Sequence, residues 1–296
     1  MDVGIIINPV AGSERPSSVI ARTGLARDVL RECELDGEVR LTEGRGSARA
    51  AAAEMIDAGV TSIIAWGGDG TVNEVATEVS GADVILGVVP GGSGNGFARG
   101  LGLEKNAREA LYTALNGEER LIDTGCLGGR LFVNVAGVGF DAHLASVFNR
   151  LPLRGAAMYT FTGIRELLSY RASSYTVKVG SNEFTTDAFL VAVANGREYG
   201  SGAIIAPNAR IDDGKLDLVC IPPRPLYSVF WQARRLFSGN VDQISDVQIV
   251  SAPAMEIIAG HPLVFHVDGE VYYGPDSLQA IVCPASLRVR VPSNLD

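Results

Sequence analysis

Hydrophobic positions in the first 116 residues follow two alternating patterns. Val3 to Ile7, Glu38 to Leu41, Ser62 to Trp66 and Val84 to Val89 are β-rich runs of strand length. Val19 to Arg31, Ser47 to Ala58 and Val72 to Val79 carry helical spacing, with Val72, Val75, Ala76 and Val79 on one face. Strands alternating with helices predict a parallel sheet covered by helices on both sides. From about Leu121 the texture changes. Leu131 to Val135, Tyr175 to Val179, Phe184 to Ala194, Leu216 to Ile221, Val247 to Val250, Met255 to Ile258, Val264 to Val267, Ser277 to Cys283 and Leu287 to Val291 read as short strands between turn residues. They predict an antiparallel sandwich or barrel, interrupted by helical stretches at Ala156 to Tyr170 and Leu226 to Phe237. The predicted domains are 1–123 (α/β) and 124–285 (β), with the tail at about 286–296 a candidate to rejoin the first. Pro222-Pro223-Arg224-Pro225 reads as a rigid connector.

Composition narrows the classes. The chain has 296 residues, 47% of them hydrophobic and 20% charged, which is globular rather than disordered. A net charge of −9 argues against a general nucleic-acid binder. No run of about 18 apolar residues occurs and no basic leader opens the chain, so neither a membrane span nor a signal peptide is predicted. Cys33, Cys126, Cys220 and Cys283 form no C-x-x-C pair and read as reduced, mostly core thiols, consistent with a cytoplasmic location.

Glycine is in excess, at 35 residues, and its placement carries the chemistry. Trp66-Gly67-Gly68-Asp69-Gly70-Thr71-Val72-Asn73-Glu74 follows a buried strand and opens a helix. Glycines there let the backbone approach a ligand, and helix N–H groups favour an anion such as phosphate. Asp69 is placed to meet Mg²⁺ or a hydroxyl proton. Thr71-x-x-Glu74 also fits a capping box serving only the helix start. Pro90-Gly91-Gly92-Ser93-Gly94-Asn95-Gly96 forms a second glycine turn, and Asn8-Pro9-Val10-Ala11-Gly12-Ser13 a third glycine-bearing loop. With Thr42 they fall at one edge of the predicted sheet, where open α/β sheets bind ligands. Gly214-Lys215 is followed by Leu216, so there is no Walker A loop, and Ser93 departs from G-x-S-x-G.

These residues resemble the family of bacterial diacylglycerol kinases, sphingosine kinases and ceramide kinases. The resemblance rests on Asn8-Pro9 with Gly12, Gly67 to Thr71, and Pro90-x-Gly92-Ser93-Gly94-Asn95. It continues through Ile122-Asp123-x-Gly125, Phe132 to Asn134, Gly139-Phe140-Asp141, Ala194-Asn195-Gly196, Ala206-Pro207, Asp212 to Asp217 and Asp268-Gly269-Glu270. It implies an α/β nucleotide domain of the NAD kinase and phosphofructokinase kind, then a β-sandwich lipid-binding domain, with ATP in the cleft between them. The implied ATP contacts are Asn8, Gly12, Thr42, Gly67, Gly68, Asp69, Gly70, Thr71, Val72, Asn73, Ser93, Gly94 and Asn95. Glu270 is the implied proton acceptor, a role that some relatives give to the loop aspartate, here Asp69; at this level both remain candidates.

The same resemblance implies a structural Mg²⁺ at Asp213 with the Arg210 and Lys215 carbonyls, where Asp212-Asp213-Gly214 reads equally well as a turn. Relatives commonly carry aspartate where this chain has Gly96, so the water-mediated metal contact expected from that loop position falls more to Asp123. His143, His261 and His266 read as structural or surface residues. Arg224, Trp231, Arg234 and Arg235, in a basic aromatic segment without acids, are candidates for a lipid surface, as is Arg150 to Arg171. The expectation is an ATP- and Mg²⁺-dependent lipid kinase with a peripheral membrane contact, no nucleic-acid partner, and a homodimer left open. The rivals are an NAD kinase and a non-catalytic nucleotide or lipid sensor.

Overall fold

The computed structural model describes residues 2–12, 16–103, 106–150, 165–166, 169–225 and 234–293. The chain divides into two compact units, Met1–Ile122 with Ala285–Asp296, and Asp123–Pro284.

The first unit runs β1 (Val3–Ile7), α1 (Pro16–Glu32), β2 (Gly37–Leu41), α2 (Ser47–Asp57), β3 (Ser62–Gly67), α3 (Asp69–Val79), β4 (Ile85–Pro90), α4 (Gly96–Gly100) and α5 (Ala107–Asn116). Its strands pair in the order β2-β1-β3-β4, all parallel. Ile5, Ile6, Ile7, Ile63 and Ile64 are fully buried, as expected of strands covered on both faces. α1 and α5 pack together over one face of the sheet, and α2 and α3 pack against each other and the same strands. The chain leaves β1 for β2 on one side and returns to β3 on the other. The carboxyl ends of β1 and β3 are therefore a topological switch point.

The second unit is an antiparallel β-sandwich. Its strands are β5 (Glu118–Leu127, which begins in the first unit), β6 (Arg130–Phe132), β7 (Val135–Gly139), β8 (Ser173–Val179), β9 (Asn182–Ala188), β10 (Leu190–Ala194), β11 (Glu198–Gly200), β12 (Ala203–Ile204), β13 (Leu216–Ile221), β14 (Gln248–Ala252), β15 (Ala254–Ala259), β16 (Val264–Val267), β17 (Glu270–Tyr273) and β18 (Ser277–Val291, which ends in the first unit). One sheet has the order β14-β13-β10-β7-β16-β17, and in the other β18 pairs β15, which pairs β8, which pairs β9. Val138, Val191 and Leu218 of the first sheet and Val177, Ile257 and Leu278 of the second share one core. Helix α6 (Phe140–Arg150) follows β7 and packs on β7 and β16.

Three departures from the sequence pattern have physical causes. Phe184 to Ala194 is two strands, because the chain changes sheets at Phe189, whose N–H turns to Ile221 O at 2.8 Å. Ser277 to Val291 is a single strand despite Pro284 and the left-handed Ala285 (φ 47°), since its pairing partner changes across them from β15 to β4. Of the four cysteines only Cys220 is buried, and burial pushes its thiol up to about 12.

Candidate functional site

In the first unit three loops leave neighbouring strand ends, the first after β1, the second after β3 and the third after β4. The register Ile7↔Trp66 and Gly67↔Pro90 brings the carboxyl ends of β1, β3 and β4 level. Side chains then lock the loops together. Asn8 Nδ2 donates to Thr71 Oγ1 at 2.9 Å, while its Oδ1 accepts the Val10 N–H at 3.0 Å. A Cβ on Gly92 would lie 2.7 Å from Gly68 Cα, and one on Gly67 would lie 2.5 Å from Thr71 Oγ1. Gly92 is therefore required by packing against the Gly68 backbone of the neighbouring loop, and Gly67 by the Thr71 side chain of its own loop, whatever ligand the loops hold. Asn95, left-handed at φ 49°, closes the third loop by accepting the Gly92 N–H at 2.8 Å and donating to Gly92 O at 2.7 Å.

Asp69 is the first residue of α3, so that helix starts three residues earlier than the apolar pattern indicates. Its carboxylate is bracketed by the third loop: Oδ1 accepts the Phe97 N–H at 3.4 Å, and a Cβ on Gly94 would lie 3.0 Å from Oδ2. The N-cap of α3 is Gly68, with no side-chain cap bond. The capping box does not form. Thr71 is taken by Asn8, and Glu74 reaches across to α2, where it accepts the N–H groups of Gly46 (2.7 Å), Ala48 (3.1 Å) and Arg49 (3.3 Å). The start of α3 is thus left lined by glycine backbone, as a bound anion requires.

The other expected contacts fall unevenly. Thr42 is buried, its N–H donating to Ile7 O at 2.9 Å, and Asn73 is buried in α3. Gly12 is left-handed (φ 82°) and Ser93 is exposed on its loop. Gly70 lies in the first turn of α3. Val72 belongs to the core: its side chain is buried and its N–H is spent on Gly68 O at 3.1 Å. Sequence reasoning missed Arg22 of α1. It donates to Asn8 O (3.2 Å) and Ala11 O (3.3 Å) and lies over the Trp66 ring, bracing the first loop from behind. An arginine in a helical repeat gives no such signal.

In the second unit, β16 and β17 form a hairpin in which Val267 pairs with Glu270. Asp268 (φ 46°) and Gly269 (φ 84°) are both left-handed, the type I′ turn that an Asp-Gly pair favours. Glu270 is the half-buried residue that opens β17. Asp268 points inward, and its carboxylate accepts the N–H groups of Val133 (2.8 Å), Asn134 (3.0 Å) and Val135 (3.1 Å).

Asp123 is buried and accepts the Gly214 N–H at 2.7 Å, tying β5 to the Asp212-Asp213-Gly214 turn. Asp213 Oδ1 accepts the Lys215 N–H at 3.1 Å, and Arg210 pairs with Asp212 at 3.5 Å. Among the described residues no three His, Cys, Asp or Glu side chains converge on a metal position. The set expected at Asp213 is instead one carboxylate with backbone carbonyls.

The lipid candidates are divided. Trp231 and most of Arg150 to Arg171 lie outside the described residues. Arg224 is turned inward to Ser245 O and to Asp246 Oδ2 at 3.2 Å, Arg235 donates to Gln243 O at 2.5 Å, and Arg234 is exposed near the exposed Phe237. No described helix is long and apolar enough to cross a membrane.

Comparison with known proteins gives this arrangement its lineage. Residues 2–127 match the diacylglycerol kinase catalytic domain, and residues 134–291 match the YegS C-terminal NAD kinase beta sandwich-like domain. The probable lipid kinase YegS-like of Chromohalobacter salexigens is 33% identical over 264 residues, covering 86% of this chain and 83% of that protein. The chain belongs to the YegS-like lipid kinase family. The Pseudomonas aeruginosa member is 31% identical over 287 residues, covering 96% of this chain and 91% of its own. A crystal structure of a diacylglycerol kinase from Bacillus anthracis superposes with a TM-score of 0.73 at 20% identity, over 100% of this chain and 98% of that one, a likeness of fold. Kinase membership makes the chain a phosphotransferase by family and implies the use of ATP.

Proposed function

We propose that the chain transfers the γ-phosphoryl group of ATP, with Mg²⁺, to a hydroxyl of diacylglycerol or a related sphingoid or ceramide-like lipid. The observation that carries this reading is the locked set of three loops around the uncapped start of α3, with Asp69 inside it. The residues fit the absent groups on charge. Helix N–H groups at Gly68 to Thr71 favour phosphate, while the Asp69 carboxylate at the same helix start repels it; a divalent cation between the two removes that conflict.

When bound, ATP supplies the transferable phosphoryl group and Mg²⁺ neutralises its charge. This chain's part is positioning. Asn8 and Thr71 hold the first two loops in register, Asn95 holds the third, and Asp69 is the carboxylate that would hold the cation. Glu270 takes the proton from the lipid hydroxyl oxygen, as a half-buried carboxylate whose backbone is held by a rigid two-residue turn can do. Glu270→Gln keeps the shape and loses the proton acceptor, so kcat is expected to fall about 10² to 10⁴-fold with the KM for ATP little changed. Equal loss of ATP binding and rate assigns Glu270 to nucleotide positioning instead.

For Asp213 the proposed role is to hold a structural Mg²⁺ with the Arg210 and Lys215 carbonyls, and Asp123 supports that turn from below. Chelation, or Asp213→Ala, is expected to lower the melting temperature without ATP present, because a ligand bound only by the folded state stabilises it by mass action. A melting curve insensitive to both leaves a simple turn. Arg234 and Phe237 are the described candidates for contact with a lipid surface.

Purified protein incubated with labelled ATP and a total lipid extract, with NAD in a parallel tube, tests the whole reading. A phosphorylated glycerolipid or sphingolipid identified by mass spectrometry supports it. Phosphorylated NAD alone makes the chain an NAD kinase, and no product in either tube makes it a sensor.

A further inference from the structure

His266 sits in β16 of the second unit, four residues before Glu270, and is 4% exposed. Buried histidines need partners for both ring nitrogens, and here the two partners differ in kind. Nε2 lies 2.8 Å from Asp141 Oδ2, and Nδ1 lies 3.4 Å from the Gly269 N–H. A backbone N–H only donates, so Nδ1 carries the lone pair and the proton is on Nε2, facing the carboxylate. Asp141 is fixed in turn: Oδ1 accepts the Ala142 N–H at 2.7 Å, and Oδ2 also accepts the Tyr199 hydroxyl. Tyr199 is half-buried, and desolvation of its hydroxyl together with Asp141 pushes its phenol well above the usual range, so it remains a donor. Gly137 pairs with His266 across β7 and β16, and a Cβ there would lie 2.8 Å from Asp141 Oδ2. The neighbouring strand has thus left open the space that the contact occupies.

From this geometry we infer that His266 is a positioning residue for phosphoryl transfer: oriented by Asp141 and Tyr199, it accepts the Gly269 N–H and so fixes the turn that aims Glu270. The inference rests on Glu270 being the proton acceptor. Asp268 anchors the same turn from inside, through its carboxylate and through its own N–H, which donates to Val135 O at 2.9 Å, while the N–H of the following residue, Gly269, is held by the ring. A tilt of that peptide redirects Glu270 without displacing either strand, and small misplacements of a reacting group are costly in rate.

Glutamine and asparagine divide the two contacts. Gln Nε2 reproduces the donor to Asp141 and offers Gly269 no acceptor, whereas Asn Oδ1 stands where Nδ1 stood and leaves Asp141 one donor short. His266→Gln is expected to melt close to the wild type with kcat down about tenfold and KM for ATP unchanged, a rate effect of misalignment. His266→Asn should melt lower yet restore most of the lost rate. Combined with Glu270→Gln, the glutamine variant should be no slower than Glu270→Gln alone, because residues acting as one unit are not additive. In the unsubstituted protein, nitrogen NMR should show the Nε2–H tautomer for His266. Wild-type turnover in His266→Gln beside a slow Glu270→Gln, additive losses in the double variant, or an Nδ1–H tautomer would each overturn the inference and leave the kinase reading standing. Wild-type turnover in Glu270→Gln overturns the inference together with the assignment of Glu270 as proton acceptor.

Discussion

Asp69→Asn is expected to lower phosphoryl transfer by about 10³-fold or more, the scale on which charge-positioning groups act in such reactions. The substitution keeps size and shape. An asparagine oxygen still accepts the Phe97 N–H, and the Gly94 backbone still has a side chain of the same volume against it. Lost is the single negative charge at the start of α3. Its interaction with the helix dipole contributes about 0.3–1 kcal/mol, so the melting temperature should fall by only a few degrees. A large rate effect on a folded protein is the expected pair of results, read by labelled-phosphate transfer and by thermal melting followed by circular dichroism. Near-wild-type turnover would remove Asp69 from the chemistry. A collapse in stability would instead show that the carboxylate chiefly holds the third loop.

The sequence disclosed much of this architecture, for a reason that differs between the units. In the first, buried parallel strands are continuous apolar runs, and β1, β3 and β4 were legible to within a residue at each end. Glycine turns after such runs fall necessarily at the ligand edge of the sheet. Illegible was which partner each polar residue would choose. Thr71 and Glu74 have the spacing of a capping box, yet Asn8 lies 63 residues away in sequence from Thr71, and the α2 start lies 26 residues from Glu74. Local spacing reveals the local option, and tertiary packing supplied better ones. A bare helix start is the result, and that bareness points to an anion.

In the second unit the strands were legible and their grouping was not. Alternation places a residue on a face without saying which sheet that face belongs to, so the change of sheet at Phe189 left no mark on the pattern. Asp268-Gly269-Glu270 reads as either a hairpin turn or a catalytic motif, and the geometry shows the turn. The turn is a true type I′ hairpin. It is also over-determined, held by Asp268 from one side and His266 from the other, beyond what a hairpin needs. Such redundancy is what a residue required to point in one direction demands. His266 itself gave no signal, because its partners Asp141 and Gly137 are brought to it only by the pairing of β7 with β16.

Asp268→Asn carries the largest expected loss of stability. Asparagine adopts the left-handed backbone as readily as aspartate, and Asn-Gly is an equally good type I′ pair, so the turn itself is not disturbed. The carboxylate, however, accepts three backbone N–H groups, with Oδ2 on Val133 and Oδ1 on Asn134 and Val135. An amide can place its oxygen toward only one side. With oxygen kept on Asn134 and Val135, its NH₂ faces the Val133 N–H, and two donors confront each other in the interior. Charge-assisted hydrogen bonds contribute about 1.5–3 kcal/mol each, and a buried donor left unsatisfied costs about 1–3 kcal/mol. The expected penalty is therefore about 3 kcal/mol, read as a lower denaturant midpoint with an unchanged slope. Turnover should fall with it at temperatures where the protein stays folded, because the same turn carries Glu270. A midpoint within about 0.5 kcal/mol of the wild type would mean that solvent satisfies these backbone groups and that Asp268 does not anchor the hairpin.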